Sequence, residues 1–64
     1  MKIINIGKTC KVNDFTPSWL GRQIGIPKVT TCKWARGASK IQYNNQEKVI
    51  KWLKLHNFKI IYGN

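Results

Sequence analysis

Acidic residues are what this sequence has least of. Only Asp14 and Glu47 oppose twelve lysines and arginines among 64 residues, which gives a formal net charge of +10. General acid–base catalysis needs positioned titratable groups, and two separate acids offer no such set, so we expect no enzymatic activity. A charge of this size repels itself in a compact chain. It therefore favours a polyanionic partner, such as nucleic acid, an anionic membrane or an acidic protein.

Cysteine, histidine and long apolar runs are also scarce. Cys10 and Cys32 form no CxxC pair and His56 is the single histidine, so we expect no metal, no cofactor and no small-molecule substrate. We expect both cysteines to be reduced thiols, as in a cytoplasmic protein. No segment approaches the ~20 apolar residues of a membrane span, which predicts no membrane partner. Residues 1–8 lack the apolar core of a signal peptide.

The residues that are present fit one small domain, 1–64. We predict a mainly α fold with a short terminal two-stranded β element. The isoleucine-rich segments 2–6 and 58–62 are the predicted strands, and they pair most economically as an antiparallel ladder. Residues 8–14 are predicted to form one or two helical turns, with Cys10 facing inward.

A first well-marked helix is predicted over residues 17–24. Thr16 is a favourable N-cap, and Pro17 suits the first helical position. Gly25 is placed to end the helix in a left-handed conformation. Gly21 carries no side chain, so a second helix could approach this one closely.

A second helix is predicted over residues 28–36, opened by Pro27 and ended by Gly37. The two helices are then separated by a turn of about three residues around Gly25, which is the spacing of a helix-turn-helix. The sequence thus predicts a unit of the kind that presents its second helix to DNA.

After a loop over residues 38–44, a third helix is predicted over 46–56, with Asn45 as its N-cap and Asn57 at its end. Its apolar stripe follows helical spacing at Val49, Trp52, Leu53 and His56. A row of lysines recurs every three residues on another face, at Lys48, Lys51 and Lys54.

The segment 16–41 resembles the helix-turn-helix of the Cro/CI repressor family. The shared features are a small residue in the first helix, a glycine in the turn and apolar residues on both sides of it, here Gly21, Gly25, Ile24 and Ile26. The sequence Lys-Trp-Ala-Arg-Gly at 33–37 resembles the close of the second helix in many members. The family usually has Val or Ile where this chain has Thr31, so either Thr31 or Cys32 packs against the first helix.

The resemblance implies which residues meet DNA. The helix 28–36 would enter the major groove, where base edges present distinct donors and acceptors. Residues expected on its DNA side are Pro27, Lys28, Val29, Thr30, Cys32, Lys33 and Arg36. Cations expected to position the phosphate backbone are Arg22, Lys40, Lys48, Lys51 and Lys54.

The expected function is therefore sequence-specific binding of double-stranded DNA by a transcriptional regulator. The resemblance implies an operator-binding repressor of a phage or mobile element, acting as a homodimer in the cytoplasm of a bacterial host, at the nucleoid. Activation instead of repression stays open. So do a DNA-bending or excision-directing factor, a basic RNA-associated protein, and an interaction protein that docks through its terminal strands.

Overall fold

The computed structural model describes residues 3–63. The elements in chain order are β1 (Ile3–Ile4), α1 (Ile6–Val12), α2 (Pro17–Ile24), α3 (Lys28–Arg36), α4 (Tyr43–Leu55) and β2 (Tyr62–Gly63). β1 and β2 form an antiparallel sheet with Ile3 opposite Gly63 and Ile4 opposite Tyr62. The predicted mainly helical fold with a terminal two-stranded sheet is thereby confirmed. Within the described residues, no helix has both the length and the apolar character required to cross a membrane.

Helices α2 and α3 have the predicted bounds. The Trp19 amide donates to Thr16 Oγ1 at 3.1 Å, so Thr16 caps α2 as expected. Gly25 and Gly37 end the two helices at φ 75° and 74°. That left-handed conformation strains any residue with a side chain, which explains why both stops are glycines.

Helices α1 and α4 end through the same geometry without glycine. Asp14 and Asn57 each have φ 60°, and asparagine and aspartate are the non-glycine residues most tolerant of that region. The next amide then reaches back into the last turn: Phe15 N donates to Cys10 O at 3.0 Å, and Phe58 N donates to Leu53 O at 2.9 Å. The predicted role of Asn57 at the end of the last helix is confirmed.

The first strand is shorter than predicted. The prediction covered residues 2–6, of which residue 2 lies outside the described residues, but β1 holds only Ile3–Ile4. Asn5 accepts a hydrogen bond from Lys8 N at 2.9 Å through its side chain and so caps α1. Ile6 is therefore the first residue of a helix, because a local cap overrides the β propensity of its neighbours.

The strand predicted over 58–62 is also wrong in extent, since β2 begins only at Tyr62. Side chains of α1 replace the strand partner upstream of it. Asn13 donates to Lys59 O at 2.8 Å and accepts from Lys59 N at 2.9 Å. Thr9 Oγ1 accepts from Ile61 N at 3.1 Å. Segment 58–61 is thus extended and hydrogen-bonded, but to a helix instead of a strand.

Helix α4 starts earlier than predicted. It begins at Tyr43, and its N-cap, Gln42, makes no side-chain capping bond, so the assignment of Asn45 as N-cap was wrong. The helix ends at Leu55, near the predicted residue 56.

The buried stripe of α4 is shifted as well. Val49 and Leu53 are fully buried as predicted, whereas Trp52 is half-buried and His56 is exposed. The third buried residue is Gln46, whose Oε1 accepts from Ile4 N at 2.9 Å. That bond satisfies a buried amide on the outer side of β1 and ties α4 to the sheet.

The core lies where all four helices and β1 meet. Its buried apolar members are Ile4, Ile6, Cys10, Leu20, Ile26, Trp34, Val49 and Leu53. Among the described residues, every buried side-chain nitrogen or oxygen has a hydrogen-bond partner. Cys10 faces inward as predicted, and its helix, α1, has the predicted one to two turns but spans Ile6–Val12 instead of 8–14, because Asn5 caps it earlier.

Candidate nucleic-acid interface

The contact between α2 and α3 fixes the orientation of α3. A Cβ placed on Gly21 would lie 2.7 Å from Ile26 O and 2.9 Å from the Thr31 side chain, so only glycine permits this approach. Thr31 is fully buried there, and its Oγ1 donates to Lys28 O at 3.1 Å. Of the two candidates, it is therefore Thr31 that packs against α2, while Cys32 is only half-buried.

Helix α1 covers a second side of α3. A Cβ on Gly7 would lie 2.7 Å from Ala35 O, which shows how closely the two helices approach. With Trp34 buried in the core, two flanks of α3 are occupied. The remaining side is what we call the cationic face. On a helix of 3.6 residues per turn it spans an arc of about 140°, and it comprises Lys28, Val29, Cys32, Lys33 and Arg36.

The residues predicted to meet DNA on this helix are largely accessible. Pro27, Lys28, Lys33 and Arg36 are exposed, and Val29 is 63% exposed despite its apolar side chain. Thr30 and Cys32 are half-buried. The cationic face therefore presents three cations around a small apolar centre.

Within the part of the chain that the structure describes, no side chain caps the first backbone amides of α3. Its N-cap, Pro27, makes no side-chain capping bond, in contrast to the capped start of α2 at Thr16. The first amides of an uncapped helix carry partial positive charge and can bind an anionic oxygen. This end of α3 also carries the Lys28 ammonium.

The remaining predicted cations are exposed but dispersed. Arg22 lies in the last turn of α2, Lys40 in the segment between α3 and α4, and Lys48, Lys51 and Lys54 on α4. Lys40 borders a cavity of about 360 Å³ that Arg36 and both residues of β1 also line. Lys51 lines a different depression, which Lys54 does not line.

That second depression is a surface that the sequence analysis missed. It is a cavity of about 300 Å³ between the end of α2 and α4, here named the lysine-rimmed groove, and it is lined by Ile24, Lys48, Lys51, Trp52 and Leu55. The signal was present in the sequence. The four α4 residues recur at i, i+3, i+4 and i+7, which places them on one helix face.

An aromatic cluster supports the groove from below. Trp52 stacks on Phe58 with ring centroids 5.4 Å apart and planes at 20°. Trp19 meets Trp52 edge to face at 5.8 Å, and Phe15 packs against both Trp19 and Phe58 at 5.2 Å. Trp19, which is 40% exposed, thus belongs to the rim of the core.

The two thiols differ in environment. Burial raises the pKa of the Cys10 thiol to about 11, with the neighbouring Cys32 as a smaller cause. Cys10 is therefore neutral at physiological pH and a poor nucleophile. Within residues 3–63, no cluster of three histidine, cysteine or acidic side chains is placed to hold a metal ion.

Comparisons with known proteins identify no relative: no family model, no curated protein and no solved structure matches this chain. Function is therefore inferred from the residues and their geometry.

Proposed function

We propose that this chain is a sequence-specific double-stranded DNA-binding transcriptional regulator that represses by occupying an operator. In this proposal, α2, the turn 25–27 and α3 form a helix-turn-helix of the Cro/CI kind. The observation that carries it is the cationic face: three exposed cations on a helix that Gly21 and Thr31 hold tightly against α2, in a chain of net charge +10.

Base reading is assigned to the centre of the cationic face. Lys28 and Lys33 can donate to the guanine N7 and O6 acceptors of the major groove. Val29 offers an apolar contact suited to the methyl group of thymine. Arg36 can bind either a guanine edge or a phosphate in a forked geometry, which a lysine cannot do.

Positioning on the phosphate backbone is assigned to groups outside that centre. The open amides at the start of α3 suit one phosphate oxygen. Arg22, Lys40, Lys51 and Lys54 are exposed and supply charge that does not depend on base sequence. Specific and general affinity are thus assigned to different residues, which makes them separable by mutation.

A homodimer is the proposed working unit, because one short helix reads only a few base pairs. Asn13 and Thr9 bind the backbone of Lys59 and Ile61 on one side of the C-terminal segment. Alternation along an extended chain then turns the backbone groups of Ile60 to the opposite side. A second copy could extend the sheet there, beside the exposed side chain of Tyr62.

The test is selection of bound sites from random duplex DNA, followed by salt titration on the selected site. We expect a palindromic site whose half-sites lie ~34 Å apart. With about 5–8 phosphate contacts, log affinity should fall against log salt with a slope of ~5–7. A slope near zero would refute nucleic-acid binding. One copy bound tightly to an asymmetric site would refute the dimer. Bending of the selected duplex would favour the DNA-bending alternative.

Single-stranded RNA is a second candidate that one observation favours. Of the seven aromatic side chains, Trp34 alone is buried, at 8% exposure, while Trp19, Tyr43 and Tyr62 are exposed. Exposed aromatic rings can stack on unpaired bases. An RNA oligonucleotide that binds more tightly than the selected duplex at equal salt would replace the DNA proposal.

A further inference from the structure

The lysine-rimmed groove combines two features that seldom occur together on a free surface. Its floor is apolar, made by Ile24, Trp52 and Leu55, and Leu55 is 76% exposed. Lys48 and Lys51 also line the groove, and both are exposed, so their ammonium groups are within reach of a bound ligand. An isolated exposed leucine needs no explanation, but a leucine beside a tryptophan in a concave surface between two helices is typical of a binding site.

The floor is preorganised. Trp52 contacts three other rings: Phe58 stacks on it at 5.4 Å, Trp19 meets it edge to face at 5.8 Å, and the His56 ring lies 4.5 Å away. Val49 and Leu53 of the same helix are fully buried, so the helix cannot rotate to hide Leu55 without exposing them. A ligand would thus meet a floor that already has its bound shape, which lowers the entropic cost of binding.

The positive charge of the groove, together with its apolar floor, determines which kind of ligand fits. A second copy of this chain carries +10 and only two acids, Asp14 and Glu47, so it would bring cations against the lysine rim. Duplex DNA would satisfy the lysines but would leave the apolar floor without a partner. A segment with both apolar and acidic side chains satisfies the floor and the rim together.

We propose that the lysine-rimmed groove binds an acidic, apolar peptide segment of a partner protein. An apolar side chain of the segment enters between Ile24 and Leu55 and covers Trp52. A carboxylate on either side of it pairs with Lys48 or Lys51. This site shares no residue with the cationic face and does not depend on DNA binding by α3, although Lys51 is also one of the proposed phosphate contacts.

The experiment is selection of short random peptides displayed on phage against the immobilised full chain, with counter-selection on the Leu55→Ser variant. Enriched peptides are then synthesised with a fluorophore and titrated by anisotropy. We expect them to combine leucine, isoleucine or an aromatic residue with aspartate or glutamate. Their affinity should fall about ten-fold or more for Leu55→Ser and for Lys51→Glu, which is the loss typical of a central contact.

Matched controls lie on the same helix. Lys54→Glu makes the same charge change outside the groove, and Tyr43→Ser removes another exposed apolar side chain from α4. Both should keep the affinity within about two-fold, which corresponds to the small losses of residues outside a binding hot spot. All four sites are exposed, so circular dichroism should show a cooperative transition within about 8 °C of the unsubstituted chain and exclude misfolding.

Three outcomes would overturn the proposal. The first is enrichment of no peptide that distinguishes the chain from Leu55→Ser. The second is equal weakening by Lys51→Glu and Lys54→Glu, which means general charge attraction. The third is displacement of the peptide by a single-stranded RNA oligonucleotide whose own binding requires Leu55, which assigns the groove to nucleic acid. None of these outcomes depends on whether the cationic face binds duplex DNA.

Discussion

The cationic face and the lysine-rimmed groove are both basic surfaces, but they differ in the uncharged side chains that lie among their lysines and arginines. On α3 the charged side chains surround Val29 and the half-buried Cys32, small groups on a convex helix. On α4 they flank Trp52 and Leu55 in a concave site. A convex helix with small central residues fits a groove in a polyanion, whereas an aromatic hollow fits a side chain. Net charge alone therefore does not tell what a basic surface binds.

Helix α2 connects the two surfaces. Its Gly21 side packs on α3, and its Trp19 and Ile24 side meets α4. A substitution that disturbs α2 should therefore impair binding at both surfaces, whereas substitutions on α3 or on α4 should each impair one surface.

The largest effect is expected from Gly21→Val. The new side chain would overlap Ile26 O and the buried Thr31, and overpacking against backbone should cost about 3 kcal/mol. That cost is a large part of the free energy of unfolding, which is typically ~3–10 kcal/mol for a domain of this size. Thermal unfolding followed by circular dichroism measures the loss. Gln23→Val, an exposed position on the same helix, should cost under ~1 kcal/mol. Equal stability of the two variants would contradict the tight packing.

A smaller and more selective effect is expected from Lys28→Ala and Lys33→Ala. If these side chains read bases, each variant should lose ~1–3 kcal/mol on the selected duplex and much less on random duplexes. Peptide binding in the groove should stay unchanged. Equal weakening on specific and random DNA would show that α3 is not the reading helix.

The α4 lysines should affect affinity without affecting specificity. Lys51→Ala and Lys54→Ala should weaken specific and random duplexes alike and lower the salt slope by ~1 each. Only Lys51→Ala should also weaken the acidic peptide, since Lys54 does not line the groove. Salt titrations of both variants on both duplexes decide the point. A slope that stays at the wild-type value would remove these lysines from the DNA contact.

The smallest effect concerns the two thiols. Iodoacetamide should modify Cys32 before Cys10, because Cys10 is 2% exposed and its pKa is raised from 9.0 to about 11. Burial favours the neutral form of the Cys10 thiol. The resulting contribution to the free energy of unfolding is therefore fully present below pH 9.0 and is lost as the pH rises towards 11. Mass spectrometry of each modified site gives the rates.

The same modification experiment can test whether DNA covers the cationic face, because Cys32 belongs to that face. An operator duplex should slow modification of Cys32, whereas the acidic peptide in the groove should leave it unchanged. Modification of Cys32 at the same rate with and without duplex would place DNA elsewhere on the molecule.

Local signals determined how much of the fold could be predicted. Thr16 and Pro17 start α2, and Gly25 and Gly37 end α2 and α3, so those bounds follow from single residues and their backbone preferences. The terminal segments could not be predicted in this way. Their extent depends on bonds between residues far apart in the chain, such as Asn13 with Lys59.

The candidate sites show the same contrast between local sequence signals and contacts of residues far apart in the chain. The exposed residues of α3 follow from helical periodicity once Gly21 identifies the packed side. The choice of Thr31 over Cys32 required the actual helix contact. The groove required the position of α4 relative to Ile24, which no periodicity within α4 specifies.

Because Ile3 pairs with Gly63, the first and last described residues lie side by side. Paired strands lie only ~4.8 Å apart, so the backbone from residue 3 to residue 63 is nearly a closed ring. A short covalent link between these two strands would reduce the entropy of the unfolded chain while leaving the contacts described above in place. New ends could then be opened in the exposed segment 37–40 between α3 and α4. The order in which the helices occur along the chain would change, and their arrangement in space would not.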